Sequence, residues 1–169
     1  MLLKPEQRRE EMVRLIHEHG PVTAAAIAER FGVTRQIVVH DVALLRAAGT
    51  DIIATPGGYM VPREPGRFTK VIACRHNNMD RLKEELYVIV DAGAFVRDVI
   101  VGHAVYGEIT GRLMIGTRAG VDDLVRRLES SDGPLSSVTG GLHLHTIEAG
   151  SREVLDRVEK ELGARGILA

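Results

Sequence analysis

The sequence predicts an α+β protein made of two parts with different patterns. Three stretches with helical spacing and a short β-prone hairpin occupy residues 8–61. A segment rich in proline and glycine follows, and short strand-like runs then alternate with longer helical runs to the end of the chain. We therefore expect two domains, at residues 1–62 and 69–169, joined by a linker at residues 63–68.

The first part contains the three helical patterns. They cover residues 8–20, 24–31 and 35–49, and they are ended by Gly20, Gly32 and Gly49 respectively. Thr34 stands where an N-cap of the third helix belongs. In that helix, apolar side chains repeat at helical spacing, which predicts that Val38 and Val42 face the core.

A change of period follows the third helix. Residues 51–61 form two short β-prone runs around Pro56-Gly57-Gly58, which predicts a hairpin. Two helices, a third helix after a tight turn, and a hairpin together make a winged helix-turn-helix domain.

The second part alternates strands and helices. The strand-like runs are residues 68–74, 96–102, 107–116 and 142–148, and the helical runs are residues 80–93, 120–131 and 151–166. This βαββαβα order predicts a two-layer α/β sandwich, in which helices cover one face of a mostly antiparallel sheet.

Composition excludes several classes of protein. The chain has 169 residues, a formal charge of -1, 44% hydrophobic residues and no apolar run long enough to cross a membrane. The single cysteine, Cys74, cannot form an internal disulfide, so we expect a reducing, cytoplasmic location. With three Phe, three Tyr and no Trp, base-stacking platforms for single-stranded nucleic acid are not expected.

The third helix is the expected DNA-reading element, because the N-terminal turns of this helix enter the major groove in helix-turn-helix proteins. Its candidate DNA-binding residues are Thr34, Arg35, Gln36, Ile37, Val39 and His40. Arg35 can reach guanine or a phosphate, and Gln36 can pair with adenine. Ile37 and Val39 can contact thymine methyl groups or pack on the wing. Residues 1–62 carry seven basic and seven acidic side chains, so a protein-interaction module is the alternative.

Two histidines, His143 and His145, stand two positions apart in the last strand-like run. Side chains at this spacing point to the same face of a strand, so both rings can reach one transition-metal ion. His76, at the end of the first strand of the second part, can add a third nitrogen, and either Glu84 or Glu85 can supply a carboxylate. Ordinary polar patterning of an exposed strand is the alternative.

A further histidine, His103, lies between two strands with Tyr106 close by. Loops that join strands often carry ligand-binding groups, so this pair can flank a small planar anion. A loop histidine that only hydrogen-bonds the backbone is the alternative. Cys74 is expected to be a small buried residue, not a ligand or nucleophile.

These motifs resemble a known family. The segments "GVTRQIVVHDVALLRAAG" and "IIATPGGYMV" are similar to the DNA-binding domain of small winged-helix repressors related to the biotin repressor. The segments "ACRHNN", "VGHAVYGEI" and "GGLHLHTIEA" are similar to the three-histidine, or 3H, domain. This pairing resembles the niacin-responsive repressors of bacterial NAD-biosynthesis and niacin-transport genes.

The resemblance implies a dimeric repressor that binds operator DNA, uses nicotinic acid as co-repressor and is not an enzyme. It implies an HPr-like second domain that holds one divalent metal ion (Ni, Zn or Fe). Carried onto this chain, the metal ligands are His76, Glu84, His143 and His145, and His103 becomes a ligand-pocket residue.

The sequence is also compatible with two other functions. One is a metal-dependent hydrolase or amidase that acts on a pyridine-type molecule, with Glu148 as the general base. The other is a regulator that senses the metal itself.

Overall fold

A computed structural model of the chain describes residues 3–169. The chain divides into two compact units, Met1–Glu64 and Pro65–Ala169, and the division falls within the predicted linker. Each unit has its own hydrophobic core. None of the helices in the described part of the chain is both long and apolar enough to span a membrane.

The first unit contains three helices and a hairpin. They are α1 (Pro5–His19), α2 (Ala24–Phe31), α3 (Arg35–Ala47), β1 (Ile53–Thr55) and β2 (Gly58–Met60), and the two strands are antiparallel. Helix α1 begins three residues before its predicted start. Pro5 suits the first turn of a helix, and the Gln7 side chain accepts a hydrogen bond from the Lys4 backbone N–H.

Capping and burial in this unit follow the predicted pattern. The Thr34 hydroxyl accepts a hydrogen bond from the Ile37 N–H and begins α3. Val38 and Val42 are buried, as their spacing predicts. Asp41 is buried beside them and forms an ion pair with Arg8 at 2.7 Å, which connects α3 to α1.

The second unit has the predicted βαββαβα order. Its elements are β3 (Phe68–Arg75), α4 (Met79–Asp91), β4 (Phe95–His103), β5 (Gly107–Ile115), α5 (Arg118–Glu129), β6 (Leu142–Ala149) and α6 (Arg152–Ala164). The strands lie in the order β3-β6-β4-β5, and each neighbouring pair is antiparallel. The predicted α+β fold class is therefore confirmed. A 3-10 helix, Leu135–Thr139, precedes β6 and was not expected.

The three helices of this unit pack on one face of its sheet. Apolar side chains from α4, α5 and α6 form a single core with alternate residues of the strands. On β3, Ile72 and Cys74 are buried in this core, whereas Val71 is exposed. The same alternation on β6 buries Ile147 and leaves Leu142 exposed, so the helices cover the face of the sheet that carries Ile72, Cys74 and Ile147.

Candidate functional site

Strand β6 carries His143 and His145 on the covered face of the sheet. Both residues are buried, in phase with Ile147 of the core. The two rings stand edge to face with centroids 4.9 Å apart. His76 follows β3, the neighbouring strand, and its ring lies 4.8 Å from that of His143. The structure thus brings together the three histidines that were predicted to share one site.

The carboxylate beside these rings belongs to Glu85, not to Glu84. Glu85 is fully buried on α4. Glu84 points away, is 40% exposed and pairs with Arg81 and Arg165. The assignment of Glu84 to the cluster, which followed from the resemblance, is therefore corrected by the geometry.

Helical spacing explains why Glu85 is the inward carboxylate. Leu82, Leu86 and Ile89 are the buried apolar residues of α4. Glu85 stands three residues after Leu82 and one before Leu86, so it lies on the same stripe of the helix. The spacing of Glu85 relative to the apolar residues of α4 can be read from the sequence, and it distinguishes Glu85 from Glu84.

The Nε2 atoms of all three histidines converge on the Glu85 carboxylate. His145 Nε2 lies 2.9 Å from one carboxylate oxygen, His143 Nε2 lies 3.2 Å from the other, and His76 Nε2 contacts that second oxygen as well. The four side chains are at most 5% exposed. They form what we call the histidine cluster: His76, Glu85, His143 and His145.

Backbone carbonyls set the orientation of two of these rings. His143 Nδ1 donates to the Gly141 carbonyl at 2.8 Å, and His145 Nδ1 donates to the Asp98 carbonyl at 2.6 Å. A carbonyl oxygen only accepts, so the proton lies on Nδ1 and the lone pair of the neutral ring lies on Nε2. Such contacts commonly orient histidines that bind metals through the other nitrogen.

The Asp98 carbonyl is available because β4 is irregular at this point. Regular pairing of β4 with β6 breaks between Val96 and Ile100. In the irregular segment, Asp98 accepts two hydrogen bonds from β6. Its backbone carbonyl accepts from His145 Nδ1, and its carboxylate accepts from the Thr146 N–H at 2.9 Å. Asp98 was not among the residues predicted from the sequence, although its acidic side chain in the apolar run "VRDVIV" was a signal for it.

The arrangement requires a positive charge between the rings and the carboxylate. An Nε2 lone pair that faces a carboxylate oxygen is repelled by it unless a proton or a metal cation lies between them. Burial alone would raise the pKa of Glu85, but the charge of His145 and hydrogen bonds from the three rings hold it well below its usual range. Burial opposes the charged form of His145, yet Glu85 raises its pKa.

These donors suit a divalent transition metal. Imidazole nitrogens and a carboxylate oxygen are ligands that Zn, Ni and Fe accept. The Cys74 thiol adjoins the cluster, and its donor atom lies within 4.8 Å of those of Glu85 and His143. Burial raises the pKa of this thiol, and the neighbouring Glu85 carboxylate raises it further.

His103 and Tyr106 lie at the turn between β4 and β5. Their rings stack with centroids 5.0 Å apart, and Tyr106 is largely exposed. His103 Nδ1 accepts the backbone N–H groups of Val105 and Tyr106 at 3.2 and 3.3 Å. Because Nδ1 accepts, Nε2 carries the proton and is the atom that can donate to an anion.

The six residues expected to read DNA lie at the N-terminal end of α3, and all are exposed: Thr34, Arg35, Gln36, Ile37, Val39 and His40. Ile37 is 37% exposed and Val39 is 52% exposed, so neither is buried against the wing. The N-terminal end of α3 therefore exposes basic, amide and apolar side chains that are available to contact DNA.

Glu148 does not lie with the histidines. It is one residue out of phase with His143, His145 and Ile147 on β6, so it faces the other side of the sheet. There it accepts hydrogen bonds from the Gly66 N–H at 2.9 Å and from Arg97 Nε at 2.6 Å. It cannot act as the general base of a hydrolase at the cluster, so the role predicted for Glu148 in the hydrolase alternative is wrong.

Gly141 offers a test of how the cluster is held. Its carbonyl binds His143 Nδ1 and the His76 N–H, and its φ is +93°. A Cβ there would lie 2.1 Å from Asn77 Oδ1 and 2.3 Å from the His76 carbonyl oxygen. We expect Gly141→Ala to lower the free energy of unfolding by about 1–3 kcal/mol and to weaken any metal binding by the cluster, because His76 and His143 are displaced.

Gly140→Ala is the matched control for this change. Gly140 also has a positive φ, of +62°, but a Cβ there meets nothing within 4 Å. The Gly140→Ala variant has the backbone strain of a positive φ but no steric clash. The difference between the two variants in thermal unfolding and in metal content therefore reports the effect of the clash with His76 and Asn77. Equal metal content in the two variants would show that Gly141 does not hold the cluster.

Comparison with known proteins agrees with this architecture. Residues 8–60 match the model of a helix-turn-helix (HTH) domain, and residues 69–169 match that of the 3H domain. The chain is 38% identical to the "Probable transcription repressor NiaR" of Thermotoga maritima, over 96% of this chain and 94% of the relative. It is 35% identical to the "Transcription repressor NadR" of Bacillus subtilis, over 95% of this chain and 92% of the relative.

Both relatives are named as repressors and not as enzymes, which agrees with the prediction that the chain is not an enzyme. The matches cover nearly the whole chain and include its two parts in the same order. The chain therefore belongs to the niacin-responsive family of transcription repressors, in which a helix-turn-helix domain precedes a 3H domain.

Proposed function

We propose that the chain binds operator DNA as a homodimer, with nicotinic acid as co-repressor and one divalent transition-metal ion in each histidine cluster. Residues 1–62 would read DNA, and residues 69–169 would bind the metal and the effector. The observation that carries the metal and effector part of the proposal is the convergence of three Nε2 atoms on the buried Glu85 carboxylate.

Nicotinic acid has two groups that the site can recognise, a carboxylate and a pyridine nitrogen. A bound divalent ion would supply a Lewis acid for either group. The protein's own contribution is to hold His143 and His145 with Nε2 toward the ion, through the Gly141 and Asp98 carbonyls. His103 Nε2 is the group of this chain that would donate a hydrogen bond to the effector.

Repression then depends on which conformation the effector favours. Nicotinic acid must bind the DNA-competent conformation more tightly than the other conformation, because equal affinity for both would leave operator binding unchanged. In a homodimer, two copies of α3 would meet successive half-sites of a palindrome, so a change in their spacing would change affinity. Arg35, Gln36 and the apolar residues Ile37 and Val39 would contact base edges.

The experiment is a DNA-binding titration of the full chain, loaded with metal, on a duplex that the protein itself selects from a random pool. Nicotinic acid is compared with benzoic acid, which lacks the ring nitrogen, and with nicotinamide, which lacks the carboxylate. We expect operator affinity to rise at least about 5-fold with nicotinic acid alone, which is the lower range of typical allosteric coupling.

Two results would contradict this proposal. If nicotinic acid leaves operator affinity unchanged, it is not the co-repressor. If metal alone produces the full rise in affinity, and the effector adds nothing, the chain is a regulator that senses metal. The same titration with metal-stripped protein separates these outcomes.

A further inference from the structure

Cys74 lies directly opposite His143 in the sheet. Strand β3 pairs with β6 in a register that sets Cys74 against His143 and Ile72 against His145. Opposite residues of an antiparallel pair project to the same face, so the thiol points toward the histidine cluster. Cys74 has no exposed surface.

Its sulfur is close enough to share an ion with the cluster. The donor atoms of Cys74, Glu85 and His143 all lie within 4.8 Å of one another. Ligand atoms at about 2.0–2.3 Å from one ion in tetrahedral geometry are about 3.3–3.8 Å apart, so donor atoms within 4.8 Å of one another have to approach by at most about 1.5 Å when an ion binds. Glu85 and His143 thus belong to two overlapping donor sets, one with the other histidines and one with the thiol.

Charge balance favours a sulfur ligand in this place. Three neutral imidazoles and one carboxylate around a divalent ion leave a net charge of +1 among side chains that are at most 5% exposed. A buried charge without a counter-charge is costly. A thiolate from Cys74 would make the ion and its ligands neutral.

We propose that Cys74 is a metal ligand, which makes the site a sulfur-containing one that favours Zn, Co or Ni over the harder ion Mn. This inference rests on the proposed metal function of the histidine cluster. As the metal–sulfur bond forms, the S–H bond breaks and its proton passes to solvent; no oxidant or reductant takes part. Thiolate ligands select softer metals, whereas carboxylate and water ligands suit Mn.

Cobalt(II) is a direct probe of this ligand. The full-length, metal-stripped protein is titrated with Co²⁺, and the absorption spectrum is recorded. A sulfur ligand gives an intense near-ultraviolet charge-transfer band, whereas nitrogen and oxygen ligands give only weak visible bands. Because Cys74 is the only cysteine in the sequence, a thiolate band can come from no other residue. X-ray absorption of the zinc-loaded protein should show one sulfur neighbour at about 2.3 Å.

Cys74→Ser keeps the size of the side chain and removes the sulfur. We expect this variant to bind Co²⁺ without the charge-transfer band and to lose at least about 10-fold in affinity for Zn²⁺ relative to Mn²⁺. If this variant does not fold, the X-ray absorption of the wild-type protein still decides the question.

The failures are distinguishable. A wild-type protein that binds Co²⁺ with visible bands but no charge-transfer band, and no sulfur neighbour to zinc, overturns the role of Cys74 and leaves the histidine site intact. A charge-transfer band that survives in Cys74→Ser has the same consequence. No Co²⁺ or Zn²⁺ binding at all overturns both the histidine site and the role of Cys74 as a ligand.

Discussion

Replacing Glu85 by glutamine is expected to lower the affinity of the proposed metal site by more than about 100-fold, whereas Glu84→Gln leaves it unchanged. Glu85 is the carboxylate that contacts all three histidines, and its side chain is fully buried. The amide has nearly the same shape but no negative charge, and it brings N–H donors that a cation repels.

The measurement is metal content after dialysis against a known free-metal concentration, together with a competition titration. The two variants are a closely matched pair, since they make the same chemical change on adjacent residues of α4. Glu84 is partly exposed and pairs with Arg81 and Arg165, so its loss costs only surface ion pairs. Loss of metal in Glu84→Gln, with retention in Glu85→Gln, would contradict the structure and restore the assignment made from resemblance.

This pair of glutamates shows what the sequence could and could not specify. The two-residue spacing of His143 and His145 was enough to predict that they share one face, because side chains on a strand alternate with a period of two. The carboxylate lies on a helix, where a shift of one residue turns a side chain by about 100°. The stripe of Leu82, Leu86 and Ile89 was needed to choose Glu85, and motif resemblance alone chose its neighbour.

The fold class was predictable because each part has a distinct period. Gly32 and Gly49 break the helical patterns of the first part, and the order of strands and helices after the linker predicts a two-layer sandwich. The start of α1 was less well predicted, since polar residues carry little periodic signal. The 3-10 helix at Leu135–Thr139 was missed because its residues, "LSSVT", match no helical or strand period.

The contacts that orient the histidines depend on tertiary structure. Asp98 reaches His145 only because pairing between β4 and β6 is interrupted, and no local pattern specifies such an irregularity. The Gly141 carbonyl likewise accepts from the His76 N–H, although the two residues lie far apart in the sequence. Propensity and spacing act over a few residues, so they cannot specify which backbone carbonyl a buried ring will find.

Arg35→Ala is expected to weaken binding to the selected operator by about 1–3 kcal/mol, or about 5–150-fold. Arg35 is the first residue of α3 and is exposed beside the capping Thr34. An arginine there can make a bidentate contact with guanine, and its loss should also relax preference at one base pair. Operator and base-substituted duplexes are compared by fluorescence anisotropy at several salt concentrations.

A charge-matched control separates base reading from general attraction to DNA. Arg126→Ala removes the same charge from α5, where the side chain is 72% exposed and pairs with Asp123. If Arg35 contacts a base, its variant loses operator affinity and discrimination, while Arg126→Ala changes neither. If Arg35 contacts only a phosphate, operator and random duplexes weaken together and the salt dependence falls by about one ion. If Arg35→Ala and Arg126→Ala both lower DNA affinity by the same small amount, α3 does not lie in the major groove. The first domain would then be a protein-interaction module, the alternative to a DNA-binding domain.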